Sequence, residues 1–270
     1  MTNLYNYIEI DKFLELYKNV KNIIFVPNPG NAGDCIIAYS TIKIFDKLNI
    51  QYTIGNYKNI YSNETIFYGG GGNLIGIYNN CKTFLNNNMD LSLNNQIIIL
   101  PHTIKSEDLL LSNMNNNIKI ICREYTSYNY VKEHFKFYEK NLYLSHDMVF
   151  YLDIPSLKIL ENSKCSHNVL NCFRNDKEKT NINIPDDNKD LSLLLNTINS
   201  TKDYFIIEKI SLAFIKEIYK YNIINTNRLH VAIVGSLLNK KVNFYSNNYY
   251  KNESVYKLSI SNKYKLTTFQ

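Results

Sequence analysis

The sequence predicts an α/β protein with two Rossmann-like domains that face each other across a cleft, the second domain being small. Short apolar runs alternate with stretches of helical apolar spacing along the chain, which is typical of parallel sheets covered by helices. The alternation weakens after residue 153, and a polar tract spans residues 175–189. Because 270 residues fit one large or two modest domains, we expect domains over residues 1–155 and 165–270, and we allow for the C-terminal tail packing back on the first.

Each element is predicted from an apolar run and the turn residues that end it. Residues 23–26 predict a buried strand ended by Pro27 and Pro29, and the apolar periodicity of about residues 35–48 predicts the helix that follows. Further strands are predicted over residues 51–55, 65–68, 96–100 (halted by Pro101), 118–122, 142–144, 169–173, 223–224 and 242–245. Further helices are predicted over about residues 74–85, 127–137, 207–221 and 228–238, and within 190–199.

Composition excludes several classes of protein. The 45% of apolar and 20% of charged residues exclude a mainly disordered chain. No apolar run is long enough for a membrane span, and acids and lysines interrupt the first 22 residues, so we expect a cytoplasmic protein, with a peripheral membrane contact left open. The five cysteines show no C-x-x-C pair or metal-ligand spacing, so we expect reduced thiols, no metal and no cofactor. The net charge of +6 favours anionic ligands, but no basic stripe indicates nucleic-acid binding.

Glycine usage points to two loops. The chain has 9 glycines, where average usage predicts about 19, and most of them lie in residues 30–33 and 69–72. Four consecutive glycines after a strand indicate the close approach of a ligand more than a simple turn. Gly70, Gly71 and Gly72 are therefore candidate substrate-binding residues, and Asn73 either caps the next helix or reaches into the site.

The NPGNAGD segment, residues 28–34, has two interpretations. It is either a plain helix cap with its turn, or a polar pocket wall in which Asn31 binds substrate and Asp34 acts as a base or contacts an acceptor. The segment lacks the Gly-Lys-Ser/Thr ending of a Walker loop and is too short for a dinucleotide fingerprint.

Charged side chains follow several predicted strands at their carboxyl ends, where ligands bind in such sheets. His102 lies just after the strand that Pro101 halts, Arg123 follows residues 118–122, and Arg174 follows residues 169–173. Asp147 is a further carboxylate at this edge.

A predicted helix start lies at the end of the strand over residues 223–224. Thr226 or Asn227 is a natural N-cap, which would place Arg228 and His230 in the first turn, where free N–H groups and the helix dipole favour an anion. Together with the other arginines, these groups predict an electropositive cleft for a small dianion or trianion.

With these residues in place, the chain resembles the polysaccharide pyruvyl transferase family. The resemblance rests on N-x-G-x-x-G-D at residues 28–34, GGGGNL at 69–74, ILPHTI at 99–104, RE-x-x-S at 123–127, HDM at 146–148, FR-x-D-x-E at 173–178, T-x-RLH at 226–230 and N-x-Y-x-K at 247–251. It implies a GT-B-like arrangement of two domains and the transfer of pyruvate from phosphoenolpyruvate onto two sugar hydroxyls as a cyclic ketal. It also implies that Arg123, Arg228 and His230 contact the donor's phosphate and carboxylate.

This reaction needs an acid, a base and anion clamps. We expect His230 or His102 to be the general acid, Asp34 to be the base or to position a hydroxyl, and Arg123 and Arg228 to be electrostatic clamps. The expected partners are phosphoenolpyruvate and a glycan or lipid-linked sugar acceptor. Two other functions stay open: a GT-B-type nucleotide-sugar glycosyltransferase, and an inactive glycan-binding or assembly subunit.

Overall fold

The chain forms two parallel sheets with helices packed against them. The computed structural model describes residues 5–161, 165–195 and 201–270. The strands are β1 (Ile23–Val26), β2 (Tyr52–Ile54), β3 (Thr65–Tyr68), β4 (Gly71–Leu74), β5 (Gln96–Ile104), β6 (Ile118–Cys122), β7 (Leu142–Leu144), β8 (His167–Cys172), β9 (Tyr221–Thr226), β10 (Lys241–Phe244) and β11 (Thr267–Phe269). The α-helices are α1 (Ile10–Glu15), α2 (Ala32–Lys47), α3 (Asn80–Asn88), α4 (Asp108–Asn113), α5 (Tyr125–His134), α6 (Tyr138–Asn141), α7 (Leu191–Leu194), α8 (Tyr204–Tyr219), α9 (Leu229–Leu237) and α10 (Lys251–Val255).

Both sheets are parallel throughout, which confirms the predicted α/β class. The first has seven strands in the order β2-β1-β3-β5-β6-β7, with β4 paired to β5, and the second has four strands in the order β11-β10-β9-β8. In the first sheet the strand order reverses between β1 and β3. A reversal of this kind leaves a crevice at the carboxyl ends of the strands, where ligands bind.

Alternate residues of the central strands pack into two apolar clusters, one on each face of the first sheet. Phe25 and Phe67 belong to the larger cluster, whereas Val26 and Ile66 point into the other. The larger cluster continues through α2, α8 and α9 to Ile224 of β9. A continuous apolar core therefore joins the two sheets and fixes the loops at their edges.

Strand β5 extends beyond its predicted end. We expected a strand that ends at residue 100, but β5 runs through Pro101 to its end at residue 104. A proline is tolerated here because the register between β5 and β6 shifts between Ile99 and His102. The added length of β5 pairs with β4, which begins at Gly71, so half of the glycine run is strand rather than loop.

The start of α9 differs by one or two residues from the prediction. Arg228 occupies the N-cap position, where we expected Thr226 or Asn227. Oγ1 of Thr226 accepts a hydrogen bond from the backbone N–H of Arg228 at 2.9 Å, so the threonine supports the helix start without being its cap.

Of the helix expected within residues 190–199, α7 covers the first part, and residues 196–199 lie outside the described residues.

The C-terminal segment connects the two sheets. Oγ of Ser254, in α10, donates to Oε2 of Glu124 at 3.1 Å, and the hydroxyl of Tyr250 donates to the carbonyl of Ile104 at 2.7 Å. The chain then returns to the second sheet as β11.

In the ranges that the structure describes, none of the helices combines the length and the apolar character that crossing a membrane requires.

Candidate active site

A cavity of about 300 Å³ lies at the carboxyl ends of strands from both sheets. Its walls include the loop after β1 with the start of α2, strand β4, the loops after β6, β8 and β9, the starts of α3 and α9, α7 and α10. The expected site residues that line it are Asn31, Asp34, Gly72, Asn73, Arg123, Arg174, Arg228 and His230. Three other expected residues, Gly70, Gly71 and His102, do not line it.

The start of α2 fixes Asp34 in place. Oδ1 of Asn31 accepts a hydrogen bond from the N–H of Gly33 at 2.8 Å, and Oδ2 of Asp34 accepts one from the N–H of Asn31 at 2.8 Å, which completes a capping box. Nδ2 of Asn28 donates to the other oxygen of Asp34 at 2.9 Å. Burial raises the pKa of Asp34, although the nearby His230 opposes the shift. Asp34 is therefore an oriented carboxylate suited to accept a proton.

A buried carboxylate joins Arg123 to His230. Nη1 of Arg123 donates to Oδ2 of Asp147 at 2.7 Å, and Nε2 of His230 lies 3.4 Å from the same oxygen. Nε of Arg123 donates to Oγ1 of Thr103 at 2.9 Å. Burial alone would raise the pKa of Asp147, but His230 and Arg123 outweigh it and hold the pKa below its usual range. Asp147 thus stays ionised and holds the side chains of Arg123 and His230 beside each other.

His230 also packs against the start of the neighbouring helix. A Cβ placed on Gly33 would lie 2.6 Å from Nδ1 of His230, so a glycine is needed for this approach. The N-terminal ends of α2 and α9 therefore meet at one cavity. The helix dipoles at both ends favour an anion there.

Arg174 and Arg228 share an ion-pair network. Arg174 donates from Nε to Oδ1 of Asp176 at 2.7 Å and from Nη2 to Oε1 of Glu178 at 2.9 Å. Nη1 of Arg228 lies 2.9 Å from Oδ2 of Asp176, and Nε of Arg228 donates to Oδ1 of Asp190 at 2.9 Å. Because carboxylates compensate both guanidinium groups, the cavity is less electropositive than its arginines alone would predict.

Arg123 and Lys251 supply further cationic donors. Within the described ranges Nη2 of Arg123 has no hydrogen-bond partner, and the residue lines the cavity. The ammonium of Lys251 pairs with Glu178 and lies 5.1 Å from the ring centre of Tyr249. Burial lowers the pKa of Lys251 to about 8, although Glu178 opposes the shift. Nη2 of Arg123 is thus available to bind an anion, whereas Glu178 compensates the charge of Lys251.

We expect the protein to lose stability in acid because carboxylates of the ion-pair network around Arg174 become protonated. Burial would raise the pKa of Glu178, but Lys251 and Arg174 outweigh it and lower the pKa from 4.5 to about 2. A pKa that is lower in the folded state stabilises the fold above the unfolded value of 4.5, and this contribution is lost as the pH falls towards 2. We expect Glu178 to account for a change on the order of 3 kcal/mol in the free energy of unfolding.

Urea unfolding between about pH 7 and pH 3 measures this effect. Glu178→Gln should flatten the dependence, whereas Glu15→Gln, at an exposed ion pair, should leave it unchanged. Equal slopes for the wild type and Glu178→Gln would contradict the pairing.

Contacts within the protein explain much of the glycine run. Gly71 has φ = +148°, which residues with a side chain rarely adopt, and a Cβ there would lie 2.5 Å from Nδ2 of Asn28. A Cβ on Gly70 would meet a backbone carbonyl of β5 at 2.8 Å, and one on Gly72 would meet Nη2 of Arg123 at 2.9 Å. We expected the run to admit a ligand. For Gly70 and Gly71 the structure shows the close approach of protein groups instead, whereas Gly72 borders the cavity.

His102 lies behind the cavity wall, fully buried. Its Nε2 is 2.9 Å from Oδ1 of Asn73, whose Nδ2 donates to Oδ1 of Asn28, and Asn28 in turn bonds to Asp34. Burial, with a smaller effect of Arg123, lowers the pKa of His102 to about 3. Its role as the general acid stays a prediction, which this placement does not favour, because a neutral buried imidazole has no proton to give at neutral pH.

Three further residues of the candidate site lie outside the set expected from sequence. Asp147 enters the sequence argument only as a carboxylate at the sheet edge, and Glu178 and Lys251 enter only as letters of the resembling motifs. The HDM, FR-x-D-x-E and N-x-Y-x-K motifs are the signal that marks them. Across the described ranges, no group of three or more His, Cys, Asp or Glu residues is arranged to hold a metal ion.

Comparisons with known proteins bear on the same residues. An uncharacterised protein from Klebsiella pneumoniae subsp. pneumoniae, with a known crystal structure, is similar to this chain at 35% identity and a TM-score of 0.84, over 97% of this chain and 96% of that one. No curated protein matches the chain. The family model of the polysaccharide pyruvyl transferases matches residues 31–249, from the cap of α2 to the segment just before α10. The chain therefore belongs to the polysaccharide pyruvyl transferase family.

Proposed function

We propose that the protein transfers pyruvate from phosphoenolpyruvate to two hydroxyls of a sugar, in a glycan or a lipid-linked acceptor, as a cyclic ketal with release of phosphate. The observation that carries this proposal is that His230, Asp34 and Arg123 line one cavity in a chain of this family. They provide an acid, a base and an anion clamp, which ketal formation from an enol phosphate requires. A cytoplasmic location is part of the proposal.

The donor's phosphate and carboxylate are assigned to the cationic side of the cavity. Nη2 of Arg123 and the N-terminal end of α9 supply donors, and Asp176 and Asp190 hold the guanidinium of Arg228 beside them. Charge-assisted hydrogen bonds of this kind are about twice as strong as neutral ones. This arrangement supports a ligand that carries two anionic groups.

In the proposed reaction His230, as the imidazolium, gives its proton to the methylene carbon of phosphoenolpyruvate, and the electron pair of the C=C bond forms the new C–H bond. A first sugar hydroxyl attacks the resulting oxocarbenium carbon, and its proton passes to Asp34. The C–O bond to phosphate then breaks, and the second hydroxyl closes the ketal ring. The proton that Asp34 accepted leaves with phosphate, and the proton of the second hydroxyl restores His230. Asp147 holds the side chain of His230 in position at the cavity.

We also propose that residues 1–155 and 165–270 are two Rossmann-like domains in a GT-B-like arrangement, with the donor bound between them. Strands β1–β7 fall in the first range and β8–β11 in the second, and the cavity has walls from both. This division supports an acceptor that enters along the cleft.

Incubation with phosphoenolpyruvate and a glycan tests the proposed function. We expect one phosphate to be released for each ketal-linked pyruvate, and Arg228→Ala to weaken donor binding in calorimetry. Release of a nucleoside diphosphate from a nucleotide sugar, without phosphate release, would favour the glycosyltransferase. Unchanged donor binding by Arg228→Ala, with no turnover of either donor, would favour an inactive glycan-binding subunit.

Gly33→Ala should separate activity from stability. Gly33 lies in the first turn of α2, where alanine has a helix propensity higher by up to about 1 kcal/mol. Its Cβ would displace the imidazole of His230, so we expect phosphate release to fall about 10- to 100-fold, with the Tm in calorimetry unchanged within a few degrees. Lys47→Ala, at the exposed end of the same helix, is the control. Normal turnover by Gly33→Ala would contradict the contact.

A further inference from the structure

A second cavity, of about 200 Å³, adjoins the candidate active site. Pro29 and Gly30 line both cavities, so the loop after β1 is their common wall. Across from this wall are the loop after β2 and the residues just before α8, which supply Asn56, Tyr57, Lys58, Thr201 and Lys202. A ligand bound in the first cavity therefore has a neighbouring space to extend into.

The second cavity differs from the first in its charge. Lys58 and Lys202 line it, and none of its described lining residues is Asp or Glu. Both lysines are exposed, and within the described ranges neither forms an ion pair. The arginines of the first cavity, in contrast, are paired with carboxylates. An uncompensated positive charge next to the candidate active site attracts an anionic group.

The loop after β2 is held in place by its own hydrogen bonds. The backbone N–H of Asn56 donates to the hydroxyl of Tyr61 at 2.7 Å, and that hydroxyl donates to the carbonyl of Asn56 at 3.1 Å. Oδ1 of Asn56 accepts from the N–H of Lys58 at 3.0 Å, and Nζ of Lys58 lies 5.8 Å from the ring centre of Tyr57. The cavity therefore presents an ammonium, an aromatic ring and an amide from one ordered turn, which suits a polar, ring-shaped anion.

We propose that this cavity binds an anionic group of the acceptor, beyond the sugar that receives pyruvate. The inference rests on the proposed function and names its acceptor class, an acidic oligosaccharide or a phosphate-linked sugar. The common wall separates the two cavities, so a ligand that occupies both extends past a single sugar. Binding there would raise the affinity for the acceptor without contacting the reacting carbon.

The experiment compares three acceptors of the same terminal sugar: a neutral oligosaccharide, one with a neighbouring carboxylate sugar, and one linked to a phosphate. We expect the wild type to have a lower KM for one of the two anionic acceptors than for the neutral acceptor. In Lys58→Gln/Lys202→Gln the KM for that acceptor should rise about three- to tenfold, while the Kd of phosphoenolpyruvate stays unchanged. Lys132→Gln/Lys136→Gln, which removes two exposed lysines outside both cavities, should leave both constants unchanged.

The carboxylate and phosphate acceptors differ only in their anionic group. The acceptor whose KM rises in Lys58→Gln/Lys202→Gln therefore identifies the anionic group that the second cavity binds. Equal KM values for all three acceptors, or an equal rise for both double variants, would overturn the inference while phosphate release still supports the proposed function. Failure of the proposed function is distinct, since no acceptor would then release phosphate from phosphoenolpyruvate.

Discussion

His230→Gln is expected to lower kcat for phosphate release by about 10²- to 10⁴-fold, the range that a positioned general acid contributes. Glutamine keeps a hydrogen-bonding side chain at the start of α9 but has no proton to give to a carbon. The 3.4 Å contact between Nε2 of His230 and Asp147 holds the imidazole at the cavity, so the loss falls on the chemical step. The Kd of phosphoenolpyruvate, measured by calorimetry, should change much less than kcat.

Other histidines provide the controls for this prediction. His134→Gln and His167→Gln replace residues outside the cavity and should retain normal turnover. His102→Gln tests the alternative acid, and we expect a smaller loss because the imidazole of His102 is connected to the cavity through Asn73 and Asn28. Full turnover by His230→Gln, with a large loss in His102→Gln, would reverse the assignment.

The exact bounds of several strands could be predicted because they depend on residues that are neighbours in the sequence. The strands over residues 23–26, 65–68, 118–122 and 142–144 coincide with β1, β3, β6 and β7, since each is an apolar run with clear ends. The pairing of β4 with the end of β5 could not be predicted, because it depends on a register shift against a third strand. His102 was therefore expected in a loop at the edge of the sheet, whereas it lies within β5 and is buried.

In the candidate site, too, features set by neighbouring residues could be predicted, whereas contacts between residues distant in the sequence could not. Arg123 could be placed at the carboxyl edge of the first sheet, and Arg174 and Arg228 at that of the second, because the carboxyl ends of parallel strands lie at one edge of each sheet. Two of the carboxylates that compensate them could not, because the fold brings them from distant positions: Asp147 lies 24 residues from Arg123 and Asp190 lies 38 residues from Arg228. Sequence reasoning consequently predicts the location of the site better than its net charge.

Asp147→Ala is expected to lower the free energy of unfolding by about 3–5 kcal/mol, the cost of breaking a buried ion pair from one side. The side chains of Arg123 and Asp147 are 2% and 0% exposed, so the variant leaves a guanidinium with little access to water and without its carboxylate. Urea unfolding at neutral pH measures the change. Glu15→Ala removes half of an exposed pair, with side chains 49% and 54% exposed, and should cost less than about 1 kcal/mol.

A double variant distinguishes the charge effect from lost packing. Arg123→Met/Asp147→Leu removes both charges and keeps most of the volume, so it should recover much of the stability that Asp147→Ala loses. Activity should stay lost, because the variant lacks both the Nη2 donor of Arg123 and the carboxylate beside His230. If the double variant were no more stable than Asp147→Ala, packing around Asp147 and its bond to the N–H of Val149 would account for the loss, and the buried charge of Arg123 would not.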